Sequence, residues 1–558
     1  MGTPDLPPQR LRQRVLAFLK RDLWKFIAAY VLLLAVMAWL GRWTPEYLAG
    51  RDLWHFLVTR MIVAMVMLGV FASFIRLFPA ALLLAATLLL AGTISAIKRD
   101  ATGEPFQVSD LFLSAHAPAL LSYVGWGYWL TAALIIPALL HALSNLRFRL
   151  WSLPLALVCA GLLSTYRLEP VVKWIHDNSY WIGVENLTFS QAESERMNGL
   201  ATHLYFSTAG LRLKTFTDAD VRAAMAALDV PPPPPTRTAP LPDVFVVLGE
   251  AWWRDPSDAQ SPIDKLVAAG FTEGTAISPV YGGTTPNAEF EVLTGIPAHS
   301  FMSGIIPYQH FVQYFSEHTR SLPRLLQALG YEAHAYHNFE RRFWLRDQVY
   351  PLLGFASFDS METMALEKQK NGWPTDAGLF AAVAKHLNST APQFHFIVTV
   401  QTHGPYAEDK ARDAINGERH PGMTDYHERL SGAADAVVAF NGQLKARGKP
   451  YVLFVFGDHL PGTRTHQWKL GMKSETDPRL HQVPFLAASN SDDVAQLRTR
   501  LQDKPLYCVA PLLTDWLKLP LADTYLRHMV NTCDGSGAAS SIPSEAIIQH
   551  QLFAKTAD

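Results

Sequence analysis

The sequence predicts two structural classes in one chain: an apolar helical membrane region, then an α/β domain with a largely parallel central sheet. Three observations point there. Long apolar runs fill the stretch from Trp24 to Tyr166 and then stop. A run of five prolines, Pro231–Pro235, follows and reads as a stiff polyproline II spacer. Beyond it, short apolar runs of strand length alternate with helix-like stretches.

The apolar runs are Trp24–Leu40, Met61–Ile75, Phe78–Ile97, Leu120–Leu140 and Leu150–Tyr166. A helix needs roughly 20 residues to cross the hydrocarbon core, and the five runs are read as five spans. Arg60 shortens the second and is expected to snorkel to the interface. No small-residue cleavage site follows the first run, which argues against a removed signal peptide. Arg10, Arg12, Arg14, Lys20 and Arg21 precede the first span, and Arg147 and Arg149 separate the fourth from the fifth. The positive-inside rule places these basic groups in the cytoplasm, and an odd number of spans then exports everything after Tyr166. The expected organisation is a cytoplasmic N-terminus (1–23), a transmembrane domain (24–167), a helical connector with the proline spacer (168–240), an exported domain (241–535) and a small polar tail (536–558). In a bacterium this is a multi-pass protein of the inner membrane with its large domain in the periplasm. Net charge is close to zero, so nucleic acid is not an expected partner. Cys508 and Cys533 both fall in the exported part, where a disulfide is permitted but not established by two cysteines.

Within the large domain the runs Val244–Leu248, Ala333–Tyr336, Phe394–Val400 and Tyr451–Phe456 read as strands. Each is followed by chemistry: Gly249-Glu250, His337, Thr402-His403-Gly404-Pro405 and Gly457-Asp458-His459. Ligands of open α/β sheets bind beyond the carboxyl ends of the strands, so these residues are expected to converge on one edge. Glu250, Asp458 and His459 form a donor set suited to a divalent metal. The stretch YGGTTPNAEFEVLTG (Tyr281–Gly295) puts hydroxyls between a glycine turn and a helix start. Thr285 there is either a helix N-cap before Pro286 or a hydroxyl poised where free backbone N–H groups hold a phosphate. With Thr285 as a fourth ligand, a metal would favour its alkoxide, which could attack phosphorus to give a phospho-threonine intermediate. In FERRFWLRDQ, Arg346 offers a planar fork for phosphate oxygens and Trp344 a wall for the substrate.

These motifs together resemble the lipoteichoic acid synthase and membrane phosphoglycerol transferase family, in the sulfatase-like branch of the alkaline phosphatase superfamily. The resemblance rests on GGTTPNAEFEVLTG, FWLRDQVYPLLGF, THGPY, GDHLPG and GEPFQVSDLFL, and on the anchored arrangement. It implies Thr285 as nucleophile, with Glu250, Thr285, Asp458 and His459 holding one Mn²⁺, or alternatively Mg²⁺ or Zn²⁺. It implies substrate contacts from His337, Trp344, Arg346 and His403, with His466 ranked below them. Phosphatidylglycerol would be the donor lipid and a glycan the acceptor. GEAWW departs from the Glu-Ser pair of many relatives, because Ala251 removes a hydroxyl. GDHLPG is closer to the glucan-modifying members than to the polymerases. Competing readings are a phosphoethanolamine transferase, a metal-dependent phosphodiesterase and a membrane scaffold whose domain has lost activity. A sulfatase reading fails because Thr284-Thr285-Pro286-Asn287 lacks the Cys/Ser-x-Pro-x-Arg pattern.

Overall fold

The structure is a computed structural model. It describes residues 23–40, 57–102, 105–108, 126–145, 191–207, 216–232 and 237–553, the last without 259, 299–304, 313, 370, 410, 416–417, 473–476, 521–522 and 536–542, together with a few isolated positions. The chain divides into two compact units, Met1–Arg99 with Glu104–Arg212, and Asp100–Gly103 with Leu213–Asp558.

In the apolar N-terminal part the described helices are Leu23–Leu40, Val63–Phe74 with a wider turn at Leu57–Ile62 before it, Leu77–Thr102 and Trp126–Leu143; Gln191–Asn198 and Leu200–Ser207 follow later in the unit. The first four overlap four of the five runs expected to be spans; the fifth run, Leu150–Tyr166, lies outside the described residues. Among the described residues one helix, Leu77–Arg99, is long and apolar enough to cross a membrane, while Leu23–Met37 and Val58–Phe74 are shorter. Small residues let the helices approach: Ala29, Ala64, Ala80 and Ala81 are fully buried beside Leu33 and Leu68. Arg60 does not snorkel. It is buried, and its guanidinium donates to the carbonyls of Met197 and Arg196.

The second unit is built on an eight-stranded sheet. The strands are β1 (Asp243–Gly249), β2 (Thr272–Ile277), β3 (Glu332–His337), β4 (Ser357–Ser360), β5 (Gln393–Val398), β6 (Ala414–Ile415), β7 (Glu418–Arg419), β8 (Tyr451–Gly457), β9 (Gln482–Ser489) and β10 (Lys504–Pro505). β6 and β7 pair only with each other; the others run in the order β10-β2-β9-β8-β1-β5-β3-β4. Within that order β9 is antiparallel to both neighbours and every other pairing is parallel. The four strands read from the sequence are thus the four central neighbours β8-β1-β5-β3. Helices cover both faces of the inner strands: β1, β5 and β8 are buried at every residue, while β3 leaves Glu332 exposed and His334 half-buried. In-step pairing, Leu248 with Val398 and with Phe456, and His337 with Val398, brings their carboxyl ends to one level.

Two helices frame that edge. Thr285–Thr294 is buried at all ten residues, which is unusual for a helix and gives its first residue a rigid mounting. Met423–Arg447 packs its Phe440 on Phe380 and on Phe245. Cys508 and Cys533 are bridged. Part of the segment expected to be a polar tail is a helix of the domain, Glu545–Phe553, with Ile547, Ile548 and Leu552 buried and Phe553 packed on Phe311 and Phe315. The glycine- and serine-rich stretch before it masked this short apolar face.

Candidate active site

The strand ends place Glu250 just after β1 and Asp458-His459 just after β8. Their donor atoms lie within 4.8 Å of one another, and all three residues are buried. The segment after Glu250 is held from both sides. Thr399 Oγ1 accepts the Glu250 N–H at 3.0 Å, Asp458 Oδ1 accepts the Ala251 N–H at 2.8 Å, and the Thr402 hydroxyl donates to the Glu250 carbonyl. Ala251 sits in the left-handed region at φ 52°, a conformation that costs an L-residue energy and that persists where surroundings enforce it.

Thr285 is the first residue of its helix, and Thr284, at φ 64°, is the cap. The helix therefore starts one residue earlier than an N-cap at Thr285 would give. Gly282 (φ 72°) permits the sharp approach, while a β-branched Thr in the left-handed region at 284 is strained. The result points the Thr285 hydroxyl at the carboxylates: Oγ1 donates to Glu250 Oε2 at 3.4 Å.

The electrostatics fit a cation. Burial first, and then the neighbouring Asp458 carboxylate, push the Glu250 carboxyl well above the usual carboxylate range. Asp458 Oδ2 is buried without a hydrogen bond. His459 Nδ1 faces the Leu460 carbonyl at 2.8 Å, so in the neutral ring Nδ1 carries the hydrogen and Nε2 offers a lone pair. That nitrogen lies 3.2 Å from Asp458 Oδ2 and 3.5 Å from Glu250 Oε1. Lone pairs turned on each other in a dry site repel, and a divalent ion among them would reverse the sign; a ring N–H on a backbone carbonyl is a common support for a metal-bound histidine.

The other candidates fall into three arrangements. His337, at the end of β3, is buried and His403 is half-buried, and both turn Nδ1 to a backbone carbonyl, Val398 at 3.0 Å and Gly404 at 2.7 Å. Burial lowers both pKa values, that of His403 to about 4, so both rings are neutral at pH 7 with the lone pair on Nε2. The Trp373 ring lies against His403 at 4.4 Å between centroids. Trp344 and Leu345 occupy a left-handed turn (φ 60° and 58°) immediately before Arg346.

The guanidinium of Arg346 does not present an open fork. It is buried against Glu289, with Nε and Nη2 donating to Oε1 at 3.1 and 2.5 Å, while the Tyr350 hydroxyl donates to Oε2 at 2.7 Å. Burial opposes the arginine's charge, but Glu289 more than offsets it and the pKa is raised. His466 is in a different cluster: Nε2 lies 2.5 Å from Asp255 Oδ2 and Nδ1 2.5 Å from His420 Nδ1.

Glu289, Tyr350, Thr399, Thr402 and Trp373 were not anticipated from the sequence. Glu289 was within reach, since it follows Thr285 by four residues and so shares its helix face.

Fold and site define a class, an α/β domain with a largely parallel sheet and a helix-start threonine beside a buried carboxylate–histidine set. Residues 242–519 match the Sulfatase family model, and the domain belongs to that family. Over 501 residues the chain is 29% identical to a Rhizobium meliloti protein named "Putative cyclic beta-1,2-glucan modification protein", covering 82% of this chain and 76% of that one. The Neisseria meningitidis integral membrane protein lipooligosaccharide phosphoethanolamine transferase A shares the fold, with a TM-score of 0.51 at 13% identity over 88% of this chain and 92% of that one. The Listeria monocytogenes lipoteichoic acid synthase LtaP is 17% identical over 57% of this chain and 82% of its own, with a TM-score of 0.44.

Proposed function

We propose that this chain is a membrane-anchored phosphoglycerol transferase, moving the glycerol-phosphate head group of phosphatidylglycerol to a glycan outside the cytoplasmic membrane. The observation that carries the reading is the Thr285 hydroxyl, fixed at the start of a buried helix and directed at Glu250 within the Glu250, Asp458, His459 set. A cation at those residues, Mn²⁺ by preference and Mg²⁺ or Zn²⁺ otherwise, would supply Lewis-acid chemistry to the hydroxyl and to the phosphoryl oxygens. Glu250, Asp458, His459 and Thr285 would hold it.

In the first half-reaction Thr285 Oγ1 bonds to the donor phosphorus and the phosphorus–oxygen bond to diacylglycerol breaks. Diacylglycerol leaves with the proton that threonine gives up. In the second, an acceptor hydroxyl bonds to phosphorus, loses its proton, and Thr285 departs as the hydroxyl. Neutral imidazoles with acceptor Nε2 atoms are poor partners for phosphate oxygens and good ones for O–H donors, so His337 and His403 serve the hydroxyls of a polyol head group. Trp344 walls the site, and Arg346, through Glu289 on the nucleophile's helix, fixes where that helix stands. The name of the Rhizobium relative favours a glucan acceptor. The region 24–167 would anchor the domain 241–535 in the inner membrane with the site on the periplasmic side.

Mass spectrometry of the protein after exposure to phosphatidylglycerol tests this. A glycerol-phosphate adduct on Thr285, with release of diacylglycerol, is expected. An adduct formed only from phosphatidylethanolamine would replace the reading with ethanolamine transfer, and no adduct from either lipid would refute it.

A further inference from the structure

A second group of donor side chains lies in the segment that follows Glu250. Asp255, Asp258 and His427 bring one donor atom each within 4.8 Å of the others. His427 Nε2 is 3.0 Å from Asp258 Oδ2 and 3.9 Å from Asp255 Oδ2, yet it is buried and makes no hydrogen bond. An ion pair would line a ring N–H up with a carboxylate oxygen. Here the oxygen is close but off that line, as when a nitrogen and two carboxylates share an ion. With zinc–ligand bonds of about 2.0–2.1 Å, tetrahedral donors stand about 3.3 Å apart, within the spread seen here. Asp255 is supported as a ligand would be: Oδ1 accepts from Ser257 N–H and Oγ at 2.8 and 2.7 Å, and His466 holds Oδ2. His427 and Asp258 keep 25% and 15% of their side-chain surface exposed, so solvent can complete the coordination.

We propose that Asp255, Asp258 and His427 form a second divalent-cation site, of zinc character, distinct from the Glu250, Asp458, His459 set. It ties the segment 250–258 to the Met423–Arg447 helix. The adjacent Tyr426 makes the same link by hydrogen bonds, its hydroxyl donating to the Ala251 carbonyl at 2.9 Å and accepting the Trp253 N–H at 3.1 Å. The site is a positioning device: it steadies the backbone that carries Glu250 and touches no substrate.

The test is zinc stoichiometry. Full-length protein in detergent is stripped with chelator, equilibrated with Zn²⁺ and desalted, and zinc per chain is counted by elemental mass spectrometry. Wild type should hold two zinc ions, His427→Ala and Asp258→Asn one each, Asp458→Asn one, and the His427→Ala/Asp458→Asn double variant none. One zinc in wild type that His427→Ala still holds, or two retained in His427→Ala, overturns the assignment. If Asp458→Asn keeps both ions while His427→Ala loses one, the candidate active-site metal reading fails and this one stands. Should the variants not fold, an anomalous-difference map of zinc-soaked wild-type crystals decides: density between these three side chains supports the site, and its absence there refutes it.

Discussion

The pairing of Arg346 with Glu289 makes a prediction that separates a structural role from a substrate-binding one. Both side chains are almost wholly buried, at 1% and 0% exposure, and the carboxylate takes two nitrogens of the guanidinium and the hydroxyl of Tyr350. Arg346→Met would leave a buried carboxylate with one neutral donor. Breaking a buried pair from one side costs about 3–5 kcal/mol. Removing both charges leaves no uncompensated ion, so Glu289→Gln/Arg346→Met should be more stable than Arg346→Met by about 1.5 kcal/mol or more. The assay is unfolding of the full chain in detergent, followed by near-ultraviolet circular dichroism, with donor KM measured alongside. If the guanidinium served mainly to grip phosphate, Arg346→Met would raise KM and leave stability within about 1 kcal/mol of wild type. That result, or a double variant less stable than the single, would refute the reasoning.

Thr285→Ala should lower diacylglycerol release by about 10³-fold or more, as loss of a nucleophile does, while Thr285→Ser keeps measurable turnover; equal activity in Thr285→Ala would end the covalent scheme. His337→Gln and His403→Gln should each raise KM about 2–10-fold, the size of one neutral hydrogen bond, with a far larger fall in kcat pointing instead to proton transfer. The Cys508→Ser/Cys533→Ser pair opens a link spanning a sequence separation of 25 residues and should cost about 3.5 kcal/mol by loop-closure entropy, read from denaturant unfolding with and without reductant. In excess chelator, Glu250→Gln should gain stability relative to wild type as pH rises from about 5 to 8. Burial and Asp458 raise the Glu250 pKa in the folded state, so above the ordinary carboxylate pKa the folded chain binds the extra proton and wild-type stability falls with pH; a gap that does not change with pH would count against this.

The central sheet was legible because its strands announce themselves twice. Buried on both faces, β1 and β8 read as apolar runs and β5 as one broken by His395, and each is followed at once by a polar residue that a buried turn would not tolerate without a task. β2, with its half-buried Thr272 and Thr275, and the two-residue β10 lack that density. β9 was hidden for another reason: it runs antiparallel, so its carboxyl end delivers nothing to the shared edge. The closing helix Glu545–Phe553 was missed because its burial depends on Phe311 and Phe315, more than two hundred residues away in the chain, and no local period reports a partner that distant.

The candidate site divides along the same physical line. Glu250, His337, His403, Asp458 and His459 are placed by backbone topology alone, since a parallel sheet brings all its strand ends to one edge whatever the side chains do. What the sequence could not convey is which polar groups satisfy each other. Arg346 reads as an open fork until the fold puts Glu289 against it. His466 reads as a substrate contact until both its nitrogens are found against Asp255 and His420. These pairings are fixed in the last few ångströms of packing, where residues 46 to 211 positions apart are brought into contact. The strained backbone at Ala251, Thr284 and Trp344 is set there too. None of these three is a residue type that invites a positive φ; Ala251 and Thr284 adjoin the proposed ligand Glu250 and the proposed nucleophile Thr285, and Trp344 is itself the proposed substrate wall. Strain of this kind lowers stability, and it persists because the buried helix at Thr285 and the paired strand ends on either side leave the chain no relaxed alternative. The rigidity that makes the position of Thr285 definite is therefore the same rigidity that hid its neighbours from a reading of the sequence.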